Sequence, residues 1–327
     1  MKYILSLFTI LLLASCQQKR DELSVPEKKP LAEDATLAGK KLMETHCYLC
    51  HSPTAPENEG RIAPPMIAVK SRYLMDFEKR EDFIAAIASF SSHPKPEQAL
   101  MKGAVKKFGI MPQQAFPEGA VEKIAAFMFD YQIEAPEWFK THWETNHGAE
   151  NWEQPGKKLA QNNAPKTTEE IGLEYALSTK KELGKNLMTA IQKDGTVAAM
   201  EFCHVEALPL TDRMAKKHQA NIKRVSDKNR NPLNKANEEE LGYIAHYKKM
   251  VKTGEEMKPI VVEKDSKVRF YYPITTNSMC LQCHGKPENI KPEILQKIKT
   301  LYTNDLAIGY GENEVRGIWS IDFEKSK

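Results

Sequence analysis

Cys47-Tyr48-Leu49-Cys50-His51 returns near the other end of the chain as Cys280-Leu281-Gln282-Cys283-His284. A C-x-x-C-H run spaces two thiols so that both can add to the vinyl groups of one haem, while the histidine offers its imidazole to the iron. The two copies predict two covalent c-type haems. Cys47, Cys50, Cys280 and Cys283 are the attachment residues, and His51 and His284 the proximal ligands. A C-x-x-C pair alone serves equally as a redox dithiol, half a zinc site or a disulfide. The histidine directly after the second cysteine is required only by haem, and a shared zinc site would have to close across more than 200 residues.

The N-terminus speaks to compartment. Residues 1–16 carry an early charge (Lys2), an apolar run from Tyr3 to Leu13, and then Leu13-Ala14-Ser15-Cys16. The apolar run falls short of the roughly 20 residues a membrane-spanning helix needs, and it sits where the core of a signal peptide belongs. The last four residues resemble the lipobox of bacterial lipoproteins, which implies cleavage before Cys16 and lipidation of it. The competing reading is a plain signal peptide with Cys16 unused. Acyl chains on Cys16 would anchor otherwise soluble domains to a membrane. Gln17, where an Asp would retain the protein at the inner membrane, favours the periplasmic side of an outer membrane, and covalent haem attachment outside the cytoplasm agrees with it.

A chain of 327 residues, 28% of them charged, fits more than one globular domain. The expected layout is a signal peptide over 1–16, a Lys-, Glu- and Pro-rich tether over 17–35, a first domain over 36–138, a polar linker over 139–168 and a second domain over 169–327. A formal charge of +3, which haem propionates would reduce, supports no nucleic-acid partner. Basic residues cluster at Lys216, Lys217, Lys223, Arg224, Lys228 and Arg230. A solvated face is the reading preferred for that cluster, over a patch that steers an acidic redox partner. No repeat other than the haem motif itself is found.

In the first domain, Leu37 to His46 has helical spacing and leads directly into the first motif, and Glu118 to Tyr131 places Val121, Ile124, Ala125 and Met128 at helix intervals behind Pro117. The sixth iron ligand must come from farther along the chain. Met111, in Gly109-Ile110-Met111-Pro112, is the candidate, with Met66 as rival and core filler as the competing explanation. The first motif, Pro64-Pro65, Met111-Pro112 and the closing helix together resemble class I monohaem cytochrome c. The resemblance implies an all-α domain, Met111 as axial ligand, and a carbonyl of Pro64 or Pro65 accepting a hydrogen bond from the proximal histidine.

The second domain reads as α+β. A helix is expected over Ile171 to Gln192 and again from Thr196 to Lys217. Strand character follows at Ile222 to Val225, Ile260 to Val262, Val268 to Ile274 and Gly317 to Ile321. Of six cysteines, Cys16 and the four motif cysteines leave only Cys203. Spacing leaves it open as a core thiol or an iron ligand, with His204 as a further possibility. Phe202-Cys203, Arg224-Val225-Ser226 through Asn231-Pro232-Leu233-Asn234, the run Cys280 to Gly285, and Asp305-Leu306-Ala307-Ile308-Gly309-Tyr310 resemble a family of bacterial periplasmic haem domains with a PAS-like fold and no settled function. That resemblance implies a His/Cys axial pair, His284 with Cys203, and His204 remains the alternative.

The expected protein is multidomain: an all-α cytochrome c domain followed by an α+β PAS-like haem domain. It would pass single electrons between a low-potential and a high-potential haem and periplasmic or membrane redox proteins, without enzymatic activity. The alternatives are a haem-based redox or gas sensor and a peroxidase-like enzyme. The latter needs a distal acid or base, and His93, His142, His147, His218 and His246 offer no reason to choose one. Trp138, Trp143 and Trp152 are expected to pack the domains together.

Overall fold

The computed structural model describes residues 33–58, 61–114, 116–159 and 165–325. The signal-peptide reading, Cys16 and most of the expected tether lie outside the described residues; the tether's last residues already belong to the first helix. The first part of the chain is helical, with α1 (Glu33–His46), α2 (Met66–Leu74), α3 (Arg80–Ser92), α4 (Lys102–Phe108), α5 (Ala120–Asp130) and α6 (Phe139–His147). In α5, Val121, Ile124, Ala125 and Met128 are buried, as their spacing requires, against Met43, Ile67 and Phe83. The crossing of α1 and α5 is close enough that a Cβ on Gly39 would stand 2.1 Å from the Lys123 carbonyl oxygen. Only glycine fits there.

The stretch 139–168 is not a plain connector. Phe139 and Trp143 of α6 are buried in the first core, Trp138 and Trp152 pack onto it, and Lys157 bridges Tyr131. Trp138 Nε1 donates to the Ala55 carbonyl at 2.7 Å. The three tryptophans therefore stabilise the first domain and do not join the two. Polar composition concealed this, because each aromatic anchors its own neighbourhood of Asn, Gln and Gly.

The second part opens with α7 (Thr168–Val205), started by a reciprocal cap between Thr167 and Glu170. Gly195 (φ 82°) kinks α7, and the chain re-enters a helix, α8 (Ala207–His218), only after Glu206. Then come β1 (Asn221–Val225), α9 (Glu238–Thr253), β2 (Ile260–Lys264), β3 (Lys267–Thr275), α10 (Leu281–His284), α11 (Pro292–Leu301) and β4 (Val315–Glu324). All four expected strands are present, in one antiparallel sheet of order β1-β4-β3-β2. Leu173 and Ala176 of α7 and Leu210 of α8 cover one face against Phe270, Trp319 and Ile321, while Ile244 and Tyr247 of α9 cover the other against Tyr271 and Ile318. Neither α9 nor α11 was expected.

The helix α7 also faces the first domain. Lys181 Nζ donates to Thr54 Oγ1 at 3.0 Å, Lys41 pairs with Glu169 at 3.2 Å, and Ser278 Oγ donates to the Gln113 carbonyl at 3.0 Å. No helix among the described residues is long and apolar enough to cross a membrane.

Candidate functional site

The first motif continues the path of α1: the Cys47 amide donates to the Met43 carbonyl and the His51 amide to the Cys47 carbonyl, both at 2.8 Å. This helical turn brings both thiols and the imidazole to one cavity of about 260 Å³. His51 Nδ1 lies 2.7 Å from the Pro64 carbonyl oxygen. A carbonyl only accepts, so Nδ1 carries the proton and Nε2 is left with its lone pair. Burial holds the His51 pKa below its ordinary value, which keeps the ring neutral. Met111, delivered by the loop after Gly109 (φ 81°), lines the same cavity as Cys47, Cys50 and His51. So does Met66, whose amide donates to the His51 carbonyl at 3.3 Å and ties it to the proximal segment. Burial pushes the Cys47 thiol up to about 12 and Cys50 upward.

The second motif is held by a denser polar frame. After β3, Asn277 Oδ1 accepts from the amides of Met279 and Cys280 at 3.1 and 3.3 Å and turns the chain into α10. His284 Nδ1 lies 2.7 Å from the Ala307 carbonyl, repeating the tautomer of His51. Arg316 Nε, at 3.5 Å from the same nitrogen, acts as a neighbouring charge, since that proton is already committed. Burial, then Arg230 and Arg316, hold His284 well below its usual pKa. Arg230 bonds Asp305 at 3.0 Å, the Cys283 carbonyl at 2.7 Å and the Ala307 carbonyl at 3.3 Å. With both side chains of the pair under 10% exposed, this guanidinium fixes the motif and its histidine-bonding loop together.

The expected solvated basic face is thus wrong for Arg230, which is buried, and for Arg224, whose Nε is buried without a partner. Lys228 Nζ donates to the Ile308 carbonyl at 2.9 Å. Arg230 and Lys228 turn inward to carbonyls of the 305–310 loop and the motif, which a charge count along the chain does not reveal.

Cys203, near the end of α7, is half-buried and close enough to Cys283 to add to the upward push that burial gives the Cys283 thiol. Burial pushes the Cys203 thiol up, and Arg224 and Arg230 oppose that. His204 is exposed, its ring edge-on to Tyr302 at 5.0 Å. Cys203, and not His204, is therefore the side chain turned to the second motif. None of the five cysteines among the described residues is in a disulfide, and no group of three or more His, Cys, Asp or Glu there completes a zinc site.

Both donor sets suit a covalently attached haem. Each offers two adjacent thiols, one neutral imidazole with its Nδ1 proton fixed on a backbone carbonyl, and a sulfur donor for a sixth position. Of the leftover histidines, His142 lies 3.3 Å from Glu57 and His218 bonds Ser178 at 2.8 Å. Sequence reasoning missed His46, which lines the first cavity with its pKa lowered to about 4 by burial and by Lys180. It also missed Arg316, and no local pattern marks either.

No curated protein matches the chain. Among solved structures, the crystal structure of the cyanobacterial heme-protein Tll0287 is similar over 50% of this chain and 99% of its own, at 16% identity and a TM-score of 0.37. The Tll0287-like family model matches residues 142–323, more than half of the chain, and it begins within the expected linker, inside α6. By that match the chain belongs to the Tll0287-like family.

Proposed function

We propose that the protein is a dihaem c-type cytochrome, anchored through Cys16 on the periplasmic side of a bacterial membrane, that relays single electrons between redox partner proteins. The observation that carries the reading is the repeated histidine geometry. In both motifs the imidazole is neutral, donates Nδ1–H to a carbonyl at 2.7 Å and keeps Nε2 beside two thiols. The haem-protein relative and the family match support haem in the second domain.

Cys47 and Cys50 would hold one haem with His51 and Met111, and Cys280 and Cys283 the other with His284 and Cys203. Bound haem supplies a one-electron ferric/ferrous couple. Met111, a neutral thioether, favours the reduced state and a higher potential, whereas Cys203, as a thiolate, donates charge and favours the oxidised state. Arg224 and Arg230 stabilise that thiolate, and the Pro64 and Ala307 carbonyls hold the two imidazoles in register. Electrons would therefore run from the second site to the first.

The test is intact mass and low-temperature EPR on the detergent-solubilised, haem-matured full chain and its Cys203→Ala variant. Expected are a mass gain of two haems and two low-spin ferric signals, only one of which changes in the variant. A high-spin signal in the unmutated protein would mean an open iron, and a ligand sensor or enzyme would replace the carrier.

A further inference from the structure

One lysine of α7 lies within electrostatic reach of both motifs. Lys180, on α7, acts electrostatically on Cys50 of the first motif, on Cys280 of the second and on His46, and it lies deep enough that desolvation opposes its charge. Among the described residues no hydrogen bond or ion pair engages it. The same helix face builds the seam. One turn on, a Cβ at Gly184 would stand 2.7 Å from Leu49 Cδ1, inside the first motif. A further turn on, Met188 lines the first cavity, and so does Met279, the residue before Cys280. Ser278 meanwhile bonds the Gln113 carbonyl, two residues beyond Met111. The second motif is thus packed onto the first domain's methionine loop, with Cys50 and Cys280 both within electrostatic reach of Lys180.

A positive charge partly buried at such a seam is costly, and a carrier gains from it if each reduction adds negative charge beside it. We propose that Lys180 is a shared electrostatic control of both haem sites, raising the two potentials together and so preserving the difference that drives electrons from one to the other. This rests on the dihaem reading. Lys180 gives up no proton or electron; it acts on the iron couples only through space.

The experiment is a spectroscopically resolved redox titration of the full-length holoprotein with Lys180→Met, Lys180→Arg and, as a neighbouring control, Lys181→Met. Lys180→Met is expected to lower the reduction equilibrium constant of both haems about tenfold, a fall of about 59 mV each. Lys180→Arg should restore both potentials, and Lys181→Met should leave them in place. If neither potential moves in Lys180→Met, or only one does, the inference is overturned while the dihaem reading stands. If the unmutated protein carries fewer than two haems by mass, both fall together. Far-ultraviolet circular dichroism and haem content identify a variant that misfolds, and the arginine variant then decides: wild-type potentials with the charge kept support the role, and shifted ones remove it.

Discussion

His46 shows how much one side chain beside a motif can weigh. Its pKa falls from 6.5 in a solvated chain to about 4, chiefly through burial and then through the charge of Lys180. The unfolded chain therefore binds a proton that the folded protein resists. Stability is full above about pH 6.5 and declines as pH drops toward 4, by up to about 3 kcal/mol from this group. Denaturant unfolding of the loaded protein from pH 7 to pH 4 should show that slope, and His46→Asn should flatten it; parallel curves for the two proteins would remove His46 as the cause. At this scale the legible residues are those whose chemistry is local. The two motifs declare themselves because five consecutive positions carry all the needed groups. Spacing alone left Met111 and Cys203 open among alternatives, and only resemblance to known families singled them out. Lys180, Arg230 and Arg316 were not legible, since each owes its role to partners brought in from distant segments.

Helices and strands were legible where their apolar period was strong or their flanks were marked. The four strands have runs of β-branched and aromatic residues, and α5 has a clean buried stripe. The helix α9 was missed although Asn237 and Glu240 form a reciprocal cap and Gly254 (φ 72°) ends it, because its charged face dilutes the apolar positions Ile244 and Tyr247. What sequence period cannot give is how close two helices come. At Gly39, α1 and α5 touch backbone to backbone, with a Cβ there only 2.1 Å from the Lys123 carbonyl oxygen. In an open helix Gly→Ala gains up to about 1 kcal/mol. Here overpacking, roughly 1–3 kcal/mol or more, wins, and α1 must shift and carry Cys47 with it. Thermal unfolding and haem content should both fall in Gly39→Ala. In Gly103→Ala, at a position of α4 with nothing within 4 Å, the melting temperature should rise slightly. Equal responses from the two glycines would refute the close-crossing argument.

Across the whole molecule, the question is why a helical domain and a sheet domain should share one chain. The structure places α7 so that it serves both: its first half covers the sheet through Leu173 and Ala176, its middle meets the first motif, and its end presents Cys203 to the second. Two sites on separate chains would find each other by diffusion, whereas here one helix fixes their separation. Gly184 is the narrowest point of that arrangement, so its substitutions separate helix stability from domain contact. Gly184→Ala meets only the terminal methyl of Leu49, at 2.7 Å, which can rotate aside, and it should stabilise α7 by up to about 1 kcal/mol. Gly184→Trp cannot be accommodated and must push the first motif away. Small-angle scattering should then report a larger radius of gyration for the tryptophan variant alone. After flash reduction of the loaded protein, electron equilibration between the two sites should slow by at least tenfold in that variant and not in the alanine one, since the opened seam lengthens the path. Unchanged equilibration in an expanded Gly184→Trp protein would mean that electrons do not cross at α7, and the domains would then be joined for some reason other than electron exchange.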